Sequence, residues 1–123
     1  MSTKIIYLKL TGSKPDYQLQ WSYDQSTWAK VQPKSPSTEI KPGDELDWNA
    51  DESISKMKIK FAKGNIISNK DISGNDSKNP KGRVKNGVGQ GLSDSYTITV
   101  KPSDGGSTGE YDPDIKTPNS GGG

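Results

Sequence analysis

The chain of 123 residues contains no cysteine and no histidine. Without cysteine there is no disulfide, no thiolate nucleophile and no zinc–thiolate site. Without histidine the commonest general base and the commonest transition-metal ligand are gone. Type 1 copper, facial-triad iron and Ser-His-Asp hydrolysis therefore cannot be assembled within this chain. Of the metals, only oxygen-ligated ions such as calcium or magnesium stay open. Arginine is nearly absent as well: Arg83 stands alone among 17 basic residues. Readers of nucleic acid usually carry several arginines for bidentate contacts, so nucleic acid is not expected as a partner.

Apolar residues are also scarce, at 27% of the chain. That lies near the composition of disordered sequences, but the large net charge that accompanies disorder is missing: 17 basic residues against 15 acidic ones leave +2. No stretch approaches the roughly 20 apolar residues of a membrane helix, and the start of the chain has no apolar core of signal-peptide length. As written, the sequence is expected to be cytoplasmic, with no membrane contact.

What is present is alternation. Ile6, Leu8 and Leu10 share one face of the first run, and Tyr17, Leu19, Trp21 and Tyr23 share one face of the next. Leu46, Trp48 and Ala50 alternate with Glu45, Asp47 and Asn49; Met57, Ile59 and Phe61 with Lys56, Lys58 and Lys60; Tyr96, Ile98 and Val100 with Thr97, Thr99 and Lys101. A period of two means strands with one apolar and one polar face, as antiparallel sheets require. No window carries a helical stripe, and eight prolines and fourteen glycines punctuate the runs. Six or seven short strands predict an all-β, Greek-key sandwich of two sheets over residues 1–117. The outward lysines 56, 58 and 60 would also protect a sheet margin from edge-to-edge pairing. A long polar loop is expected at 63–94, and a disordered glycine-rich tail at 118–123.

Trp21-Ser22-Tyr23-Asp24-Gln25-Ser26-Thr27-Trp28 reads as a hairpin in which Asp24 accepts backbone N–H groups in the turn and Thr27 and Trp28 open the return strand. It looks like a shortened Asp-box, a structural motif. Lys41-Pro42-Gly43-Asp44, followed at once by an alternating strand through Trp48, resembles the Pro-Gly-Asp strand of cupredoxin-like β-sandwiches. Tyr96-Thr97-Ile98-Thr99-Val100 resembles the strand of that fold that leads into the copper loop. The resemblance spans roughly residues 4–116, and an immunoglobulin-like sandwich is the alternative. In copper-binding members a cysteine would stand near Val100 and a histidine near 55–57. Neither is there, so the resemblance implies a scaffold without cofactor, and a fold alone assigns no role.

The candidate sites are correspondingly non-catalytic. Carboxylate pairs for glycoside hydrolysis need a pocket that raises one pKa, and Glu45, Asp47, Asp112 and Asp114 are all expected on solvent faces. Asp71, Asn75 and Asp76 lack the spacing of a calcium loop and read as turn formers. The expected function is a non-enzymatic binding or structural module. Two surfaces are candidates. One is the 63–94 loop, where Lys78, Lys81, Arg83 and Lys85 could meet a protein partner. The other is Trp28, flanked by Tyr7, as a stacking platform for carbohydrate, since Trp21 and Trp48 are expected inside.

Overall fold

The structure, a computed structural model, describes residues 2–12 and 16–118. Of the tail expected at 118–123, only Pro118 is among them, and its carbonyl accepts the N–H of Gly91 at 2.8 Å. Among the described residues eleven strands form two sheets. In chain order they are β1 (Thr3–Thr11), β2 (Gln18–Ser22), β3 (Ala29–Lys30), β4 (Ser37–Glu39), β5 (Glu45–Ala50), β6 (Ile54–Phe61), β7 (Ile72–Ser73), β8 (Lys81–Arg83), β9 (Ser93–Pro102), β10 (Gly109–Tyr111) and β11 (Asp114–Lys116). One sheet runs β3-β2-β1-β5-β8-β7. The other is built on β9, which pairs with β6 along one side and with β10 and β11 along the other, and β4 follows β11. No helix among the described residues is long and apolar enough to cross a membrane.

The expected alternation forms the core. Ile6, Leu8, Leu19, Leu46 and Trp48 from one sheet face Met57, Ile59, Phe61, Tyr96, Ile98 and Val100 from the other, all almost fully buried. At their centre Trp48 meets Tyr96 edge-on at 5.5 Å, Phe61 lies 5.0 Å from Tyr96, and the Trp48 indole N–H donates to the Tyr96 hydroxyl at 3.2 Å. Large rings in tilted contact give a chain with few aliphatics enough area to hold two sheets together.

The sheets are mixed rather than purely antiparallel, which corrects the expectation. β1 runs parallel to β5, and β4 parallel to β11. The Pro42-Gly43 turn makes the first of these possible. Gly43 takes the left-handed φ of 79°, and the buried Asp44 behind it accepts N–H bonds from Lys41 and from Ser2 at the entry to β1. Burial works against the charge of Asp44, but those two N–H donors outweigh it and hold the carboxyl below its ordinary value.

The segment 63–94 is more than a polar excursion. Ile66, Ile67 and Val84 are buried in the core, and Ile72, Val88 and Leu92 pack against it. Gly82 lets Ile67 and Trp48 close in, since a Cβ there would lie 3.1 Å from the Ile67 side chain. The segment also completes the free side of β6. Met57 exchanges backbone bonds with Asp76 and Ser77. The Asn75 amide accepts from the Ile59 N–H and donates to its carbonyl, and the Asn69 amide does the same for Phe61. Two side-chain amides thus stand in for the backbone of a neighbouring strand, and satisfy groups that an edge would leave bare.

Replacing Asn69 by Ala should therefore cost about 1–3 kcal/mol, the penalty of orphaning buried backbone groups at Phe61. Urea denaturation checks this. A loss below the range typical of exposed positions would show that the amide pairing contributes nothing.

Candidate functional site

The turn after β2 is fixed by its own side chains. The Ser22 hydroxyl accepts the N–H groups of Asp24 and Gln25 and donates to the Asp24 carboxylate. That carboxylate accepts the N–H groups of Ser26 at 2.8 Å and Thr27 at 2.9 Å. These bonds, with the one from Thr27 foremost, hold the Asp24 carboxyl below its ordinary value. Gln25 adopts a left-handed φ of 63°, and its carbonyl receives the Trp28 indole N–H at 3.2 Å. Asp24 thus accepts backbone N–H groups as the sequence suggests, and the turn it fixes orients Trp28.

Trp28 is half-buried and lies over the outward face of β1, where the Lys9 ammonium stands 4.1 Å from its ring centre. Together they border an open groove of about 580 Å³ that also holds Tyr7, Gln25, Asn49 and Glu52. Tyr7 and Asn49 are direct partners across the parallel β1–β5 pair. At the rim the Asp51 carboxylate is engaged by the N–H and hydroxyl of Ser53. The groove therefore has two aromatic walls and a polar rim of amides and charges. Tyr7 was expected beside Trp28. Asn49 and Glu52 were not, since they reach the groove through a parallel pairing that alternation does not encode.

The other two tryptophans divide. Trp48 is fully buried. Trp21 points inward opposite Leu8 but is only partly covered, and its indole N–H is buried without a partner. Tyr23, expected on the same buried face, is 48% exposed. β2 ends at Ser22, so Tyr23 falls at the margin of the sandwich, where it packs on Trp21 and its hydroxyl meets Thr38 at 2.7 Å.

Four of the six basic residues of the 63–94 segment, Lys78, Lys81, Arg83 and Lys85, follow one another alongside β5. The carbonyls of Lys78 and Pro80 accept N–H groups of β5, and Lys81 and Arg83 stand on β8 directly opposite Asp47 and Glu45. Lys85 follows, its N–H bonded to the Ile66 carbonyl. Their positive charge is thus met strand-to-strand by two carboxylates. Asp47 was expected in solvent, but it is partly buried and one of its oxygens has no partner. Burial, and then the neighbouring Glu45, raise its carboxyl above the ordinary value, against the pull of Lys81. Asp114, also expected in solvent, likewise buries an unpartnered oxygen, while Asp112 is exposed and accepts from the Thr97 hydroxyl. Of the residues weighed for calcium, Asn75 is committed to the backbone of β6.

A second groove of about 460 Å³ opens where Leu10 and Val100 approach each other, walled by Tyr17 and Tyr111. Tyr17 donates to the Asp104 carboxylate at 2.6 Å, and its phenol is pushed up to about 12 by burial and by that carboxylate. Gly106 makes room for the phenol: a Cβ there would fall 2.1 Å from its oxygen, and the Tyr17 ring would have to swing aside. The Tyr17 hydroxyl is thereby tied to the protein, which leaves this groove poorer in free polar groups than the one at Trp28.

No protein-family model matches the chain, and none of the curated proteins matches its sequence.

The raised carboxyl of Asp47 has a sign that can be tested. A carboxylate whose folded pKa lies above its unfolded value costs stability once it ionises, and costs nothing below the unfolded value, near 3.8. Asp47→Asn should therefore raise the melting temperature at pH 7 and leave it unchanged at pH 3. A variant less stable at pH 7 would mean that the charge pairs productively with Lys81.

Proposed function

We propose that the chain is a non-enzymatic binding module on a Greek-key, cupredoxin-like sandwich without metal-based redox activity, and that it takes carbohydrate in the groove of Trp28 and Tyr7. The observation that carries this reading is the indole of Trp28, oriented by its own turn and presented beside a second ring in an open, polar-rimmed groove. Sugar rings offer apolar C–H faces ringed by hydroxyls, and a wall of aromatic rings with amides at the edge is complementary to both. The Lys9 ammonium covers one face of the indole, so a sugar would have to stack on the other. Gln25, Asn49 and Glu52 would select among hydroxyl patterns.

The non-enzymatic reading rests on the side chains at hand. The groove carries Asp51 and Glu52, and Asp51 is engaged by Ser53 rather than held as a free acid in an apolar pocket. The row of Lys78, Lys81, Arg83 and Lys85 is the alternative surface, for an acidic protein partner, and it is weakened by Glu45 and Asp47 opposite its centre.

Titration of neutral oligosaccharides by calorimetry tests the proposal. Trp28→Ala should weaken binding about tenfold, in line with the loss of one aromatic stacking contact, without lowering the melting temperature by more than a surface change does. Equal affinity of wild type and variant would move the site elsewhere, and no binding across the neutral sugars would reject carbohydrate as the ligand.

A further inference from the structure

The outward face of the second sheet is built differently from that of the first. On the first sheet acids and bases are set opposite one another, Glu45 with Arg83 and Asp47 with Lys81. On the second, Lys56, Lys58 and Lys60 line β6, and the register sets Lys56 directly across from Lys101 on β9. Like charges facing each other across two strands are destabilising. The four lysines are exposed, and none of them makes a side-chain hydrogen bond or ion pair among the described residues. Carboxylates lie near them without pairing: Asp76 borders the same hollow as Lys56, Lys58 and Lys101, Glu110 on β10 is registered opposite Thr99, and Asp112 accepts from the Thr97 hydroxyl.

Protection of the sheet edge does not account for this arrangement. The free side of β6 is already closed by the Asn69 and Asn75 amides and by the backbone of residues 76 and 77. The lysines sit on the face of the strand rather than at its edge. Side chains two residues apart on one strand face are separated by about 6.8 Å, so the three lysines of β6 form an evenly spaced positive line. Between Lys56, Lys58 and Lys101 lies a small hollow of about 160 Å³, with Thr99, Thr108 and the single carboxylate of Asp76 on its border.

We infer that this face is a second binding surface, and that its ligand is an extended acidic polysaccharide bearing carboxylate or sulfate groups. The charge of the ligand follows from four lysines that outnumber the carboxylates around them and form an ion pair with none of them among the described residues. Its extended form follows from their line along a strand. Its sugar character follows from what the face lacks and what it offers. The outward positions of β6 and β9 carry no aromatic ring on which a base could stack and no arginine for a bidentate phosphate contact. Thr99 offers a hydroxyl for sugar hydroxyls. The inference is independent of the Trp28 groove, which lies on the other sheet.

Affinity chromatography and calorimetry with dextran sulfate, unsulfated dextran and a DNA duplex test it. The protein should bind dextran sulfate with an affinity that falls as salt rises, and should not bind unsulfated dextran at this face. The triple change Lys56→Gln, Lys58→Gln, Lys101→Gln should weaken binding by about tenfold or more, while the same change at Lys4, Lys30 and Lys41, away from this sheet, leaves it within about twofold. Trp28→Ala should leave it unchanged. The first triple variant should melt no lower than wild type, because it relieves the opposition of Lys56 and Lys101; single Lys101→Gln, with a partial loss of binding, gives the same reading with less disturbance. Equal losses in both triple variants would reduce the effect to overall charge and overturn the inference. Binding of the DNA duplex as tightly as dextran sulfate, through the same three lysines, would overturn the choice of ligand.

Discussion

The ring cluster of Trp48, Phe61 and Tyr96 is the contact on which the rest of the structure depends. Trp48 belongs to one sheet and the other two to the second, and the indole N–H to hydroxyl bond fixes their relative positions as well as their packing. A chain with 20 Leu, Ile, Val and Phe side chains cannot fill two broad sheet faces with aliphatics alone. Three large rings concentrate the buried area at the centre, and the smaller side chains need only surround them. Burial raises the Tyr96 hydroxyl well above its ordinary pKa, so at neutral pH it serves as a neutral partner to the indole.

The cluster also explains why the 63–94 segment folds back. Ile67 reaches toward Trp48 across Gly82, and Ile66 is buried beside it. Once those residues are anchored, Asn69 and Asn75 fall along β6 and complete its hydrogen bonds. With the free side of β6 closed from within, the outer faces of the two sheets remain open to solvent. Those faces differ in character: one carries ring walls and paired charges, the other a line of lysines.

The sequence shows which residues face inward, because burial of one sheet face imposes a period of two. Leu46, Trp48, Met57, Ile59, Phe61, Tyr96, Ile98 and Val100 were all legible in that way, as were the Pro42-Gly43-Asp44 turn and the role of Asp24. Alternation says nothing about which strand lies beside which. The parallel pairing of β1 with β5 was therefore hidden, and with it the placement of Asn49 next to Tyr7 and of Asp47 opposite Lys81. Asparagines that imitate a strand are invisible for a related reason, since the same residue type is common in ordinary turns. Tyr23 misled because its strand ends one residue before it.

Hydrogen exchange of the backbone amides of Ile59 and Phe61 tests the central claim most directly, namely that the 63–94 segment is an integral part of the sandwich and closes β6. Their N–H groups point away from β9 and are bonded only to the side chains of Asn75 and Asn69. If the account holds, both amides exchange as slowly as that of Trp48 in the middle of the other sheet, through global unfolding alone. Exchange of Ile59 and Phe61 orders of magnitude faster than that of Trp48 would mean that the edge is open in solution, and would contradict it.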